Sequence, residues 1–169
     1  EYSYPRKINS DTDFVWNLLN NNNFNKVANK IEGMWAFAFI DKVNDTLVLS
    51  RDRFGQKPLY YATLKHERGL IFSSSIKSLI ALLDFQLELN YIKLEQYLHM
   101  GFRAINLDQK GTFIEKIYSV EPGTSLIFDP QLNSKKINFF ENRREVNEEK
   151  SYLEFVEETY TNVVKSVEE

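Results

Sequence analysis

Apolar positions along the chain recur with two different periods, and the change of period divides it into helices and strands. Near the start, Phe14, Val15, Leu18 and Leu19 form a helical stripe behind Ser10, Asp11 and Asp13, residue types that open helices. The asparagine run 20–23 ends that stripe, and a second short helix is expected over 24–31. From Gly33 the period shortens to two. Met34, Ala36, Ala38 and Ile40 alternate with Trp35, Phe37, Phe39 and Asp41, so both faces of this strand are apolar. A sheet with one wet face would instead alternate apolar and polar residues. Residues 46–50 (TLVLS) share the two-sided character, and Asn44-Asp45 turns the hairpin between the two strands.

Further strands are expected at 59–64 and 70–74, separated by the polar turn KHERG. Helices are expected over 76–83 and over 90–100, where Tyr91, Leu94, Tyr97 and Leu98 share one side. Residues 103–122 read as irregular, with Gly111, Pro122 and Gly123 as breakers, before strands at 124–129 and 136–140. Tight turns between strands imply antiparallel pairing, and strands apolar on both faces need cover on each. The predicted fold class is α+β: part of a four-layer α/β/β/α sandwich of antiparallel sheets.

Residues 141–150 are charged and poor in apolar side chains, as a linker would be. Beyond them Tyr152, Phe155, Val156, Tyr160, Val163, Val164 and Val167 recur at helical spacing, and Ser151 with Glu154 makes a capping box. That helix ends on Glu168 and Glu169, anions where a helix end prefers cations, with no Gly or Asn stop. It is expected to continue in a longer parent protein. The first residue, Glu1 rather than Met, carries the same expectation for the other end.

Composition narrows the function classes. The chain is 43% apolar and 14% aromatic, ample for a buried core. A net charge of −3 and scattered Lys and Arg argue against nucleic-acid binding. No apolar run approaches the roughly 18–20 residues that span a bilayer, and no signal peptide is visible. The expectation is a soluble, cytoplasmic protein with no nucleic-acid or membrane partner. With no cysteine, the chain has no disulfide, thiolate metal site or thiol nucleophile of its own. His66 and His99 stand apart from any carboxylate cluster, so no metal site is expected. Ser73, Ser74 and Ser75 lack a histidine partner. Trp35 and Phe37 read as core residues. Asp52 and Gly55 suit positions i and i+3 of a type I turn, with Pro58 stiffening its exit.

Six segments, in order, resemble the asparagine-synthase family. SDTD (10–13) resembles its SDTE element, GMWAFAFID (33–41) its GMFAFAIWD strand, and SRDRFGQKPLYY (50–61) its ARDRFGIKPLYY hairpin. LIFSSSIKSL (70–79), YLHMGF (97–102) and TFIEKIYSVEPG (112–123) resemble later elements. The hairpin is the strongest, and the resemblance runs from about Ile8 to Phe140. It implies a class II glutamine amidotransferase domain of the N-terminal-nucleophile hydrolase type. On this reading residues 1–140 are the later part of that domain, 141–150 a linker, and 151–169 the first helix of an asparagine synthetase domain. Such a domain takes ammonia from L-glutamine for the ATP-dependent amidation of aspartate.

In this family an N-terminal cysteine attacks the amide, an Asn-Gly pair forms the oxyanion hole, and an arginine and an aspartate hold the substrate's charged ends. Asp11 matches the aspartate that binds the substrate ammonium. By itself it also suits the first turn of a helix, where an acid gains ~0.3–1 kcal/mol from the helix dipole. The cysteine, the arginine and the Asn-Gly-Glu motif are expected before residue 1, and the ATP-binding SGGLDSS loop after residue 169. No catalytic residue is therefore assigned, and the chain alone is expected to be inactive. ATP and Mg2+ are expected in the synthetase domain, with none held here. L-glutamine and that domain are the expected partners, and a homodimer is left open. Ser75 stands where the family has glutamate, and Gln56 where it has isoleucine. Two alternatives remain: a relative amidating another acid (a surface sugar or a natural product), and a degenerate binding module.

Overall fold

A computed structural model describes residues 10–21, 28, 31–65, 69–101, 110–140 and 150–168. The expected helix over 24–31 lies outside them apart from Ile31 and the helical, buried Ala28, as do residues 1–9 and most of the expected linker.

Helix α1 (Asp11–Asn21) opens where Ser10 predicts it. The Ser10 hydroxyl accepts from the Asp13 N–H at 3.2 Å, and its carbonyl accepts from the Phe14 N–H at 3.0 Å. Strands β1 (Ala36–Asp41) and β2 (Thr46–Arg51) form the expected hairpin. The Asp41 carboxylate organises its turn, accepting from the N–H groups of Val43 and Asn44 and from the Asn44 side chain. Next come β3 (Tyr60–Thr63), β4 (Leu70–Ser73), α2 (Ile76–Ile80) and α3 (Tyr91–Met100). Asn90 caps α3 by accepting from the Lys93 N–H at 3.1 Å, and Gly101 ends it at a φ of 69°. Strands β5 (Tyr118–Ser119), β6 (Thr124–Phe128) and β7 (Ser134–Asn138) follow, then α4 (Tyr152–Glu168).

The strands form two antiparallel sheets, one ordered β1-β2-β6-β7 and the other β4-β3-β5. Consecutive strands β2 and β3 therefore do not pair: the segment between them crosses from one sheet to the other. Leu49 on β2 lies opposite Ala38 on β1 and Leu126 on β6, so these residues share the inward face. Leu49, Leu126 and Phe128 meet Leu59, Tyr61 and Val120 of the second sheet in one buried cluster. The Tyr61 and Phe128 rings pack edge to face at 5.5 Å. Burying each such side chain is worth roughly 1.5–3 kcal/mol, against about 0–1 kcal/mol for an exposed ion pair. Apolar contact holds the sheets together.

On the far face of the three-stranded sheet, Ala62 and Ile117 pack against Leu79 of α2. On the far face of the four-stranded sheet, Phe39 meets Trp16 of α1 at 5.8 Å. Val48, Ser50 and Ser125 are buried there too, with the two serine hydroxyls 2.9 Å apart. The protein is thus α+β, with antiparallel sheets and helices.

Two-sided burial is incomplete. Met34 and Ile40 are 60% and 65% exposed, and Ala38 is exposed as well. Strand β1 is an edge, and of its inward residues only Ala36 reaches the central cluster. Phe72 on β4, the edge of the other sheet, is likewise open. Strand β7 starts and ends two residues before its predicted bounds, and just past its end the N–H groups of Phe139 and Phe140 both donate to the Gly123 carbonyl. Helix α2 stops at Ile80, short of the predicted Leu83. The two-residue β5 falls inside the stretch read as irregular. Helix α4 carries the expected capping box: Ser151 donates to Glu154 at 2.8 Å and accepts from its N–H. Its apolar side chains are exposed, Tyr152 and Val167 at 81% each. Among the described residues, no helix is long and apolar enough to cross a membrane.

Candidate functional site

Residues 51–58 carry the crossover between the sheets, and two adjacent charges organise them. Arg51 ends β2 on the inward face, two residues after Leu49. Its guanidinium donates through Nε to the Lys57 carbonyl at 2.7 Å and through Nη2 to the Gly55 carbonyl at 2.7 Å. Nη1 reaches the second sheet, donating to Ser119 Oγ at 2.9 Å and to the Val120 carbonyl at 2.8 Å. Burial pushes this guanidinium below its ordinary value, partly offset by Tyr60 and Asp52, yet arginine stays charged. Four acceptors replace the water it has lost.

Asp52 is 1% exposed. Its Oδ1 accepts from the N–H groups of Phe54 (3.1 Å) and Gln56 (2.9 Å), and Oδ2 from that of Lys57 (2.9 Å). Burial works to raise its pKa, but the N–H groups of Lys57, Gln56, Phe54 and Trp35 together hold it below the usual carboxylate range. The Asp52 carbonyl accepts from Gly55 N–H, as the predicted turn requires, and from Gly123 N–H. Gly55 sits at a φ of 66°, where a Cβ would lie 2.8 Å from Pro122 Cγ. The loop is therefore clamped on the 122–123 turn. Outside it, Phe54 is 70% exposed and packs edge-on against Phe140, over which Arg53 also lies.

All of this wiring is internal. The Asp52 carboxylate is spent on the backbone and the Arg51 guanidinium on acceptors of the fold, so the pair braces the crossover. Gln56 joins through its N–H alone, so replacing isoleucine there leaves the network intact. Ser75 precedes α2 without a side-chain cap, and its N–H donates to Ser73 Oγ.

Asp11 lies apart from this loop, exposed on the first turn of α1. Ser10 caps the helix beside it, and Trp16 anchors the helix on Phe39. Among the described residues, no group of three His, Asp or Glu is placed to hold a metal ion. Asp11 lines neither of two depressions in the surface. One is a shallow groove along α4 beside Thr159 and Val163. The other is a cleft of about 160 Å³ between β7 and the edge of the second sheet, lined by Tyr61, Lys110, Glu121 and Lys136 among others. Sequence reading missed this cleft, and it missed Ser119 and Val120 as partners of Arg51. No local signal links residues 68 and 69 positions apart.

Residues 3–140 match the family of glutamine amidotransferase domains. A putative asparagine synthetase [glutamine-hydrolyzing] 2 of Methanocaldococcus jannaschii is 30% identical over 131 residues, 76% of this chain and 24% of that protein. Asparagine synthetase [glutamine-hydrolyzing] 2 of Bacillus subtilis is 32% identical over 136 residues, 80% of this chain and 18% of that protein. Amidase chry2 of Gibberella zeae is 31% identical over 122 residues, 72% of this chain and 16% of that protein. The chain thus spans at most about a quarter of these relatives' length. A match covering most of the chain makes it a member of the glutamine amidotransferase domain family.

Proposed function

We propose that this chain is part of a glutamine-dependent asparagine synthase. Its domain contributes to releasing ammonia from L-glutamine, and the parent protein uses ATP, with Mg2+, to amidate aspartate. The observation that carries this reading is the alignment of most of the chain with proteins named as glutamine-hydrolysing asparagine synthetases. The two facing antiparallel sheets, with α2 outside one and α1 touching the outside of the other, support a partial four-layer α/β/β/α sandwich. In this reading residues 141–150 link that domain to a synthetase domain, whose first helix is α4. The exposed apolar face of α4 supports that role, since a helix so patterned needs a partner surface.

Asp11 binds the ammonium of glutamine, and its exposed carboxylate beside the Ser10 cap is open to a ligand. Amide hydrolysis needs a nucleophile that this cysteine-free chain lacks, so the reaction runs in the longer protein. A second reading is a relative of the same family that amidates another carboxylic acid.

The test uses the full-length protein that carries this segment, supplied with glutamine, ATP and aspartate. Asparagine is the expected product, and glutamine consumption without asparagine would favour the second reading. Asp11→Ala should raise the glutamine KM about tenfold or more, the worth of a hydrogen bond to a charged group. An unchanged KM would remove Asp11 from the site.

A further inference from the structure

The two ends of the sandwich differ in what they leave open. Lys136 of β7 and Ser119 of β5 line one cleft, so those strands share one end, and β1 and β4 share the other. Register fixes which side chains face inward. Ser134, Lys136 and Asn138 of β7 lie opposite Phe128, Leu126 and Thr124, so the inward side of that edge is polar and can face water. At the other end Ala36, Ala38 and Ile40 of β1 share the side of Leu49, and Leu70 and Phe72 of β4 share that of Tyr61. Ala36 and Leu70 pack on the central cluster, yet Ile40 is 65% and Phe72 41% exposed. The core therefore runs out through an open apolar seam between β1 and β4.

The backbone at this seam faces outward as well. Leu64 N–H donates to the Gly69 carbonyl at 2.8 Å, which makes that facing pair a hydrogen-bonded one. Alternation along the ladder then turns the N–H groups of Leu70 and Phe72 away from β3. Edge strands that stay free are ordinarily guarded by charge, proline, bulges or shortness. Strand β7 carries Lys135 and Lys136, and β5 has only two residues. Strand β4 pairs with β3 in unbroken register and contains neither a charged residue nor a proline.

We propose that the β4 edge receives one further strand, supplied by the same longer polypeptide from outside these 169 residues, whose inward apolar side chains cover Phe72, Ala38 and Ile40. Among the described residues four strands face three. A fourth strand beside β4 makes the sheets equally wide, on the side where the facing strand is apolar. A parent protein of its relatives' length has the residues for it, since the match covers 24% of the Methanocaldococcus jannaschii protein and 18% of the Bacillus subtilis one. The occupant is an extended, uncharged segment with alternate apolar residues. Its main chain pairs with Leu70 and Phe72, and its side chains continue the cluster of Leu49 and Tyr61. The added strand presupposes that this chain is part of a longer protein, as proposed above, and is independent of which acid that protein amidates.

Hydrogen exchange resolved to single amides, on the full-length protein that carries this segment, tests the strand. The amides of Leu70 and Phe72 should exchange at least about 100-fold more slowly than in an unstructured chain, at every protein concentration. Those of Ser134 and Lys136, which the same alternation turns away from β6, should stay fast. Fast exchange at Leu70 and Phe72 would overturn the added strand, and equal protection of both pairs would overturn its placement on the β4 side. Protection that grows with protein concentration, alongside a dimer in sedimentation velocity, would give the edge to a second copy and overturn its origin in the same polypeptide. An open β4 edge in a protein that makes asparagine would overturn this inference alone. A covered edge in one that makes none would overturn the asparagine-synthase reading alone.

Discussion

Arg51 and Asp52, neighbours in sequence, grip the same loop by complementary chemistry. Arg51 donates to the carbonyls of Gly55 and Lys57, and Asp52 accepts from the N–H groups of Phe54, Gln56 and Lys57. Lys57 is thereby held at both its backbone groups. Since the loop carries the chain between sheets, this grip sets how β2 and β3 face each other.

Asp52→Asn should destabilise the fold by about 1–3 kcal/mol, because the amide turns an NH2 toward a buried N–H that needs an acceptor. Denaturant unfolding at neutral pH measures it, and a loss under ~0.5 kcal/mol would show that the carboxylate does not organise the loop. The folded pKa of Asp52 lies below its unfolded value, near 3.9. Its contribution is therefore full above that value and lost as pH falls through the folded pKa. The acid slope of stability should be shallower in the variant than in the wild type.

Gly55→Ala tests the clamp on Pro122. The methyl group meets both a left-handed backbone, worth roughly 1–2 kcal/mol, and the Pro122 ring at 2.8 Å. The melting temperature should fall by several degrees, on the order of 4–8 °C per kcal/mol lost for a domain of 60–100 residues and less for a larger one. Gly33→Ala is the control, with a φ of 100° but open space around its Cβ, and it should cost less.

Tyr61 predicts behaviour in alkali. Burial, helped by the charges of Tyr118 and Glu121, pushes its pKa up to about 12, against about 10 in the unfolded chain. Between those values the unfolded state has released a proton that the folded state keeps, so stability falls as pH rises. The loss should appear as a downward slope of unfolding free energy between about pH 10 and pH 12. Unfolding free energies compared between wild type and Tyr61→Phe isolate this slope from that of the lysines. Parallel curves would show that the phenol ionises freely in the fold.

What could be read along the chain was local. The Ser151–Glu154 box, the Asp41–Thr46 turn and the Asp52–Gly55 turn each join residues at most five apart. The apolar alternation of β1 also identified a strand. It could not show that β1 is an edge, because exposure of Ile40 depends on how many strands stand opposite. Asp11 was legible only as an acid at a helix start, together with the resemblance of its segment, and its exposed carboxylate agrees with that position.

By itself, then, the amino-acid sequence determined the elements and the family, since periodicity, caps and turn residues act over a few positions and motifs are read in order. Only the tertiary structure decided that β2 pairs with β6 instead of β3, that Arg51 finds Ser119, and that Tyr61, Lys110 and Lys136 line one cleft. Strand pairing and sheet width come from burying one shared apolar cluster, a many-body condition that no short stretch of residues contains.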